Sequence, residues 1–259
     1  MLLPRIIPFL LLKNGGLVKT INFRDPKYVG DPLNAVKIFN EKHVDEIVIL
    51  DIEASKNNKN PDFNLIKKLA RECRMPLCYG GGIKNIQEIE KIINLGVEKV
   101  ALSSILSKDK TLINEAVKRF GSQSIVAVLD FKKSSFFNKY NIFIKNGTIK
   151  CNLEPIKLIK EIVHMGIGEI VINSIDCDGT RGGYDMRLIN LIKSQIPSIP
   201  ITCVGGAGSL KDISLLFKNF KYIGAGAGSI FVFKGKYRAV LINYPSSKEK
   251  KEIFKIQYS

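Results

Sequence analysis

At 259 residues, 45% hydrophobic and 25% charged, the chain has the length and composition of one globular domain with a large core. No apolar run reaches the ~18 residues needed to span a bilayer, and the apolar start, Met1 to Leu12, lacks a small-residue cleavage site, so a cytoplasmic protein is expected. The net charge of +16 suits anionic ligands or an acidic partner, but no nucleic-acid motif accompanies the scattered lysines.

Short β-branched runs alternate with helix-period segments along the chain. Strands are expected at Arg5–Leu12, Glu46–Ile52, Leu77–Tyr79, Lys99–Leu102, Ile125–Leu129, Glu169–Asn173, Ile201–Val204 and Tyr222–Ala225. Helices are expected at Pro32–Lys42, Phe63–Cys73, Ile86–Leu95, Thr111–Phe120, Pro155–Met165, Met186–Lys193 and Leu210–Phe217. Residues 246–259 form a basic tail, densest from Lys248 to Lys255. Such alternation implies parallel strands with helices outside, and fits either an open sheet or a closed barrel.

An internal repeat decides between them. Val48-Ile49-Leu50-Asp51-Ile52 returns as Val171-Ile172-Asn173-Ser174-Ile175, and Pro76 to Gly82 returns as Pro200 to Gly206. Ser103-Ser104-Ile105 returns as Gly228-Ser229-Ile230, so the offsets are 123, 124 and 125 residues. Two four-strand halves, about 1–120 and 121–245, close naturally into an eight-stranded (βα)8 TIM barrel, a single α/β domain over 1–259.

In such a barrel the C-terminal strand ends form the active site. Gly80-Gly81-Gly82 and Gly205-Gly206-Ala207-Gly208 follow strands 3 and 7, where backbone N–H groups can approach an anion closely. Ser103-Ser104 and Gly228-Ser229, after strands 4 and 8, complete each cradle. A single Gly-Gly pair is usually a tight turn; two copies with matching serine motifs point to a ligand carrying a phosphate at each end. Asp51, Asp130, Asp176 and Asp178 also fall at strand ends. Capping a loop is an equal reading for Asp176 and Asp178, whereas Asp130 ends an apolar run and points a carboxyl into the barrel mouth, where desolvation tunes it for proton transfer.

Cys73, Cys78, Cys151, Cys177 and Cys203 include no C-x-x-C pair, and their odd number argues against a disulfide framework. The two histidines, His43 and His164, fall in expected helices, so neither a histidine-rich metal site nor a Ser-His-Asp triad is expected, and no metal or cofactor.

These motifs resemble the HisF family, the cyclase subunit of imidazole glycerol phosphate synthase, over nearly the whole chain. The resemblance rests on Arg5-Ile6-Ile7, Leu50-Asp51-Ile52, Gly80-Gly81-Gly82-Ile83, Gly121-Ser122-Gln123, Ser174-Ile175-Asp176, Asp178-Gly179-Thr180, Gly183-Tyr184-Asp185 and Gly205-Gly206-Ala207-Gly208. It implies a lyase-type synthase of histidine biosynthesis. A HisH-type glutaminase forms a heterodimer with it, and ammonia passes along the barrel axis to a bis-phosphorylated ribulosyl aminoimidazole. It also implies an ammonia gate of Arg5, Glu46, Lys99 and Glu169, which is favoured over the alternative of a buried stability network. Lys19, Asp51, Gly81, Gly82, Ser103, Ser104, Asp178, Gly179, Gly205, Gly206, Gly228 and Ser229 are expected to hold the ligand, and Asp130 to be catalytic.

One position departs from the family. Its acid/base pair is two aspartates, ending strands 1 and 5; the second is Asp130, but the first is Leu11. The repeat agrees, because Ile6 to Lys13 aligns with Ile125 to Lys132 and places Leu11 opposite Asp130. Ser103 also stands where the family has an asparagine. The chain is similar to a paralogous branch from surface-polysaccharide (O-antigen, lipopolysaccharide) gene sets, through Pro8 to Lys13, Leu17-Val18-Lys19-Thr20, Lys27 to Pro32 and Arg238 to Ile242. That similarity implies ammonia supply for amidation of an amino sugar, with a glutaminase and a sugar amidotransferase. A non-catalytic glutaminase-activating scaffold is the further alternative.

Overall fold

The computed structural model describes residues 4–134, 139–235 and 237–258, with side chains described as far as 255. Met1 to Leu3 of the apolar start and the last residue of the basic tail lie outside the described residues. Eight parallel strands form the barrel: β1 (Arg5–Lys13), β2 (Ile47–Asp51), β3 (Leu77–Gly80), β4 (Lys99–Leu102), β5 (Ile125–Lys133), β6 (Glu169–Ser174), β7 (Ile201–Val204) and β8 (Ile223–Ala227). Each pairs with the next, and β8 pairs back to β1 with Arg5 opposite Gly224 and Pro8 opposite Ala227, which closes the sheet.

The period of two in the strands separates two cores. Ile6, Leu10, Ile47, Ile49, Ile170 and Ile172 point outward into a large cluster under the helices. Ile7, Phe9, Val48, Cys78, Ala101, Val126, Val128, Val171 and Val204 point inward and form a separate apolar cluster along the barrel axis. Burying one such Ile or Val contributes ~1.5–3 kcal/mol.

The seven crossover helices are α1 (Pro32–Glu41), α2 (Phe63–Glu72), α3 (Ile86–Asn94), α4 (Lys110–Phe120), α5 (Pro155–His164), α6 (Met186–Gln195) and α7 (Leu210–Asn219). The first six open on a side-chain cap, from Asp31, Asp62, Asn85, Asp109, Glu154 and Asp185, each accepting from a first-turn N–H. A short α8 (Ser229–Val232) follows β8, and α9 (Ser247–Tyr258) closes the chain. No described helix is long and apolar enough to cross a membrane.

Several boundaries differ from the sequence-based expectation. The eighth strand starts at Ile223 because Tyr222 takes the left-handed conformation, at φ 58°. His43 falls in the turn after α1, at φ 50°, rather than in the helix. β5 runs on to Lys133 because its end pairs antiparallel with a strand at Tyr140–Ile144. A second addition is the hairpin of Gly16–Ile21 and Arg24–Gly30, whose first strand pairs with the end of β1, Leu11 opposite Val18. The basic tail is mostly the helix α9, which packs on α7 through Phe254 and Phe217, with ring centroids 5.9 Å apart, and buries Ile253.

Candidate functional site

The C-terminal strand ends open into a cleft of about 1160 Å³, counting its open mouth. Every cleft residue expected from the sequence lines it. Lys19 and Asp51 do so beside Gly81, Gly82, Ser103 and Ser104, and Asp178 and Gly179 beside Gly205, Gly206, Gly228 and Ser229. Asp130 and Leu11 share that lining.

The glycine loops take equivalent backbone shapes. Gly81 and Gly82 have φ of 126° and 73°, Gly205 and Gly206 of 90° and 108°, all in the region that side chains disfavour. A Cβ at Gly81 would stand 2.5 Å from the Asp51 carbonyl oxygen, and one at Gly205 would stand 2.6 Å from that of Ser174. Asp51 and Ser174 are themselves counterparts in the repeat, so the match in sequence is also a match in packing. Ser104 opens a 3-10 turn (Ser104–Ser107) after β4 as Ser229 opens α8 after β8.

The two ends of the cleft differ in charge. Lys19 reaches in from the hairpin and donates to the Phe9 carbonyl, and a Cβ at Gly228 would lie 2.0 Å from its Nζ. Its ammonium therefore sits against the second cradle. Burial brings its pKa down to about 8, opposed by the nearby Asp178. Burial likewise raises the Asp178 carboxyl, opposed by Lys19 and by a 3.0 Å hydrogen bond from Thr20 Oγ1. Asp51 spends one oxygen on its own loop, accepting from Glu53 N at 2.9 Å and Ala54 N at 3.0 Å. Asp176 lies outside the cleft lining and caps the end of β5, accepting from Lys133 N at 2.6 Å.

Asp130 is buried at the end of the inward face of β5. Burial pushes its pKa up to about 7, opposed by a 2.9 Å hydrogen bond from Asn173 Nδ2. Such a carboxyl changes protonation state in the neutral range, as a proton-transfer group requires. Leu11 presents only a hydrocarbon side chain to the same cleft. Asn173 was not among the expected site residues, although the in-facing period Glu169, Val171, Asn173 marks it. Phe23, from the tip of the hairpin, and Asn146, from the turn after Tyr140–Ile144, also line the cleft.

At the opposite end of the barrel, Arg5, Glu46, Lys99 and Glu169 join into one ring. Arg5 bonds Glu46 and reaches Glu169 at 2.8 Å; Lys99 reaches Glu46 at 2.8 Å and Glu169 at 3.0 Å. Burial disfavours charge on these groups, but the opposite charges win: Arg5 and Lys99 are held above their ordinary pKa and Glu169 below. Between ring and cleft lies the inward-facing apolar cluster, with Thr202 donating to Glu169.

A closed parallel barrel with a cleft at its C-terminal strand ends is the architecture in which (βα)8 enzymes build their active sites. This chain belongs to the histidine biosynthesis protein family, whose model matches residues 5–238. Within it the chain is a homologue of HisF. It is 52% identical over 256 residues to a protein of Vibrio vulnificus (strain YJ016) provisionally named imidazole glycerol phosphate synthase subunit hisF3, covering 99% of this chain and 98% of that one. It is 48% identical over 241 residues to a protein of Pseudomonas aeruginosa provisionally named as the hisF2 subunit, 93% of this chain and 95% of that one. To the imidazole glycerol phosphate synthase subunit HisF of Hydrogenobaculum sp. (strain Y04AAS1) it is 39% identical over 234 residues, 90% and 92% of the two chains.

Proposed function

We propose that this chain is the ammonia-using barrel subunit of a HisF-type synthase. A HisH-type glutaminase docks over the Arg5–Glu46–Lys99–Glu169 ring, ammonia rises through the barrel, and Asp130 meets it beside a ligand held by a phosphate at each end. The observation that carries this reading is the succession along one axis of a charged ring, an uncharged interior and a two-cradle cleft. Neutral ammonia crosses an apolar passage at far less cost than an ammonium ion, whose charge loses its hydration there. The glycine loops supply backbone N–H groups to the two phosphates, and Lys19 adds a positive charge at the second cradle. Asp130 then exchanges a proton with the nitrogen or the ligand near neutral pH.

The test is ammonium-driven cyclisation of the bis-phosphorylated ribulosyl aminoimidazole at high pH. Turnover that Asp130→Asn lowers by ~10²–10⁴ supports the cyclase. Absence of turnover, with some restored by Leu11→Asp, sinks it for this chain.

Leu11 favours a second reading, in which ring, interior and cradles persist while the cyclase chemistry is replaced. Ammonia would then serve amidation of an amino sugar in surface-polysaccharide synthesis, through a sugar amidotransferase. Identities of 52% and 48% to the hisF3 and hisF2 relatives, against 39% to the HisF of Hydrogenobaculum, are compatible with such a divergence and carry no sign of the acceptor. This reading predicts a chain without cyclisation that still binds a HisH-type glutaminase and raises its glutamine hydrolysis, an effect that charge reversal at Lys99 abolishes. Failure to bind any such glutaminase would remove both readings.

A further inference from the structure

One polar atom in the cleft has no use in the scheme above. Asn173 lies beside Asp130 in the sheet register and is 9% exposed. Its Nδ2 donates to Asp130 Oδ1 at 2.9 Å. Its Oδ1 is buried and accepts from no described residue, and among those residues it is the one buried side-chain nitrogen or oxygen without a protein partner. Native interiors rarely leave such an acceptor dry, because its desolvation goes uncompensated. A donor from outside the chain accounts for it.

The surroundings define that donor. Asn173 lines the cleft together with Asp130. Two residues back along the same inward face of β6 is Val171, part of the apolar axial cluster, and across the sheet is Val204 of that cluster. On the cleft side stands Gly205, where a Cβ would come within 3.2 Å of Asn173 Oδ1. The amide oxygen therefore sits at the lip where the apolar interior opens into the cleft. The donor that fits there is small and needs no apolar pocket of its own. Ammonia qualifies, since it donates N–H bonds while keeping a lone pair free to face the ligand.

We propose that Asn173 is the positioning residue for ammonia: its Oδ1 accepts an N–H as the molecule leaves the barrel interior, and its Nδ2 holds the neighbouring Asp130 carboxyl in place. One side chain thus sets both nitrogen and carboxyl, with no other polar group needed at the exit. The inference rests on the ammonia reading above and extends it to a specific atom.

The test follows the Asn173 side-chain amide by nuclear magnetic resonance in the full chain, assigned by comparison with Asn173→Leu. Ammonium chloride titrated in at alkaline pH gives a saturable shift of that amide, and equal sodium chloride gives none. No shift, or the same shift with sodium, overturns the proposal. Asn173→Leu, similar in volume but without the amide, raises the Asp130 carboxyl titration further above its wild-type position near 7, because the hydrogen bond favouring the carboxylate is gone. Where turnover is measurable, it raises the KM for ammonium roughly fivefold to tenfold, the worth of one hydrogen bond, with the KM of the phosphorylated ligand unchanged. An unchanged ammonium KM overturns the role of Asn173 and leaves the synthase reading standing. Wild-type chain that shows the amide shift but no ammonium-driven turnover does the reverse. Should Asn173→Leu fail to fold, Asn173→Thr, which also lacks the amide, supplies the assignment, and the wild-type titration with ammonium and sodium decides the matter.

Discussion

Asp130 makes no ion pair with a described residue, and its one hydrogen bond, from Asn173, only partly offsets burial. A carboxyl whose folded pKa stands near 7, above its unfolded value near 4, keeps its proton in the folded state while the unfolded chain releases it. Stability therefore falls as pH rises between those values, and above about 7 the full penalty applies. Asp130→Asn keeps an oxygen for Asn173 Nδ2 and removes the penalty. It should match wild type near pH 4 and be more stable at pH 8, by at most roughly 3 kcal/mol or about 5–10 °C in thermal unfolding. Equal Tm differences at both pH values would show that Asp130 is not the buried acid described. Asp130 and Leu11 were legible because the repeat aligns them without any structure. Asn173 was legible only as an in-facing residue, since its place beside a carboxyl and its unpaired oxygen depend on the sheet register.

At the scale of elements, the barrel strands and crossover helices were legible from period and caps, and the additions around them were not. The hairpin of Gly16–Ile21 and Arg24–Gly30 hides because its second strand contains Pro26 and is largely exposed, so it shows no in-out alternation. It is held by its tip: Asn22 donates through Nδ2 to the Ile175 and Asp176 carbonyls at 2.9 and 2.8 Å, and its own N–H bonds Asp178 O at 2.9 Å. Asn22→Asp keeps the left-handed backbone acceptable but turns two donors into repelling acceptors. Hydrogen exchange across 16–30 should then quicken, with a global loss of ~1–3 kcal/mol; unchanged exchange there would mean that the tip bonds do not hold the hairpin. The helix α9 hid behind its charge, although Ser246 and Glu249 form a capping box, Ser246 N to Glu249 Oε2 at 2.8 Å and Glu249 N to Ser246 Oγ at 3.3 Å. Ile253 is 5% exposed, so Ile253→Ala should cost ~2–4 kcal/mol. An unaltered denaturant midpoint would show that α9 does not contribute to the domain's stability.

Across the whole molecule, the ring ties β1, β2, β4 and β6 together at one end of the barrel. Glu169, held below its ordinary pKa by Arg5 and Lys99 against burial, adds stability above its unfolded pKa that is lost as pH falls through its lower folded value. Lys99→Met leaves two glutamates facing one arginine. It should cost ~2–4 kcal/mol at pH 7, a cost that shrinks toward pH 3 as Glu169 protonates. A Tm difference that stays constant from pH 7 to pH 3 would argue against the ring as an ionic unit.

The glycine cradles carry a longer consequence. What they offer an anion is main chain, and main-chain N–H groups are present whatever the codon, provided the left-handed turns survive. Under the proposed function, proton transfer rests instead on single side chains, and Leu11 facing the same cleft as Asp130 is a hydrocarbon where a carboxyl would serve. On that reading, recognition and reactivity are written in materials of different durability. A lineage can hold its ligand through many sequence changes while its chemistry turns over.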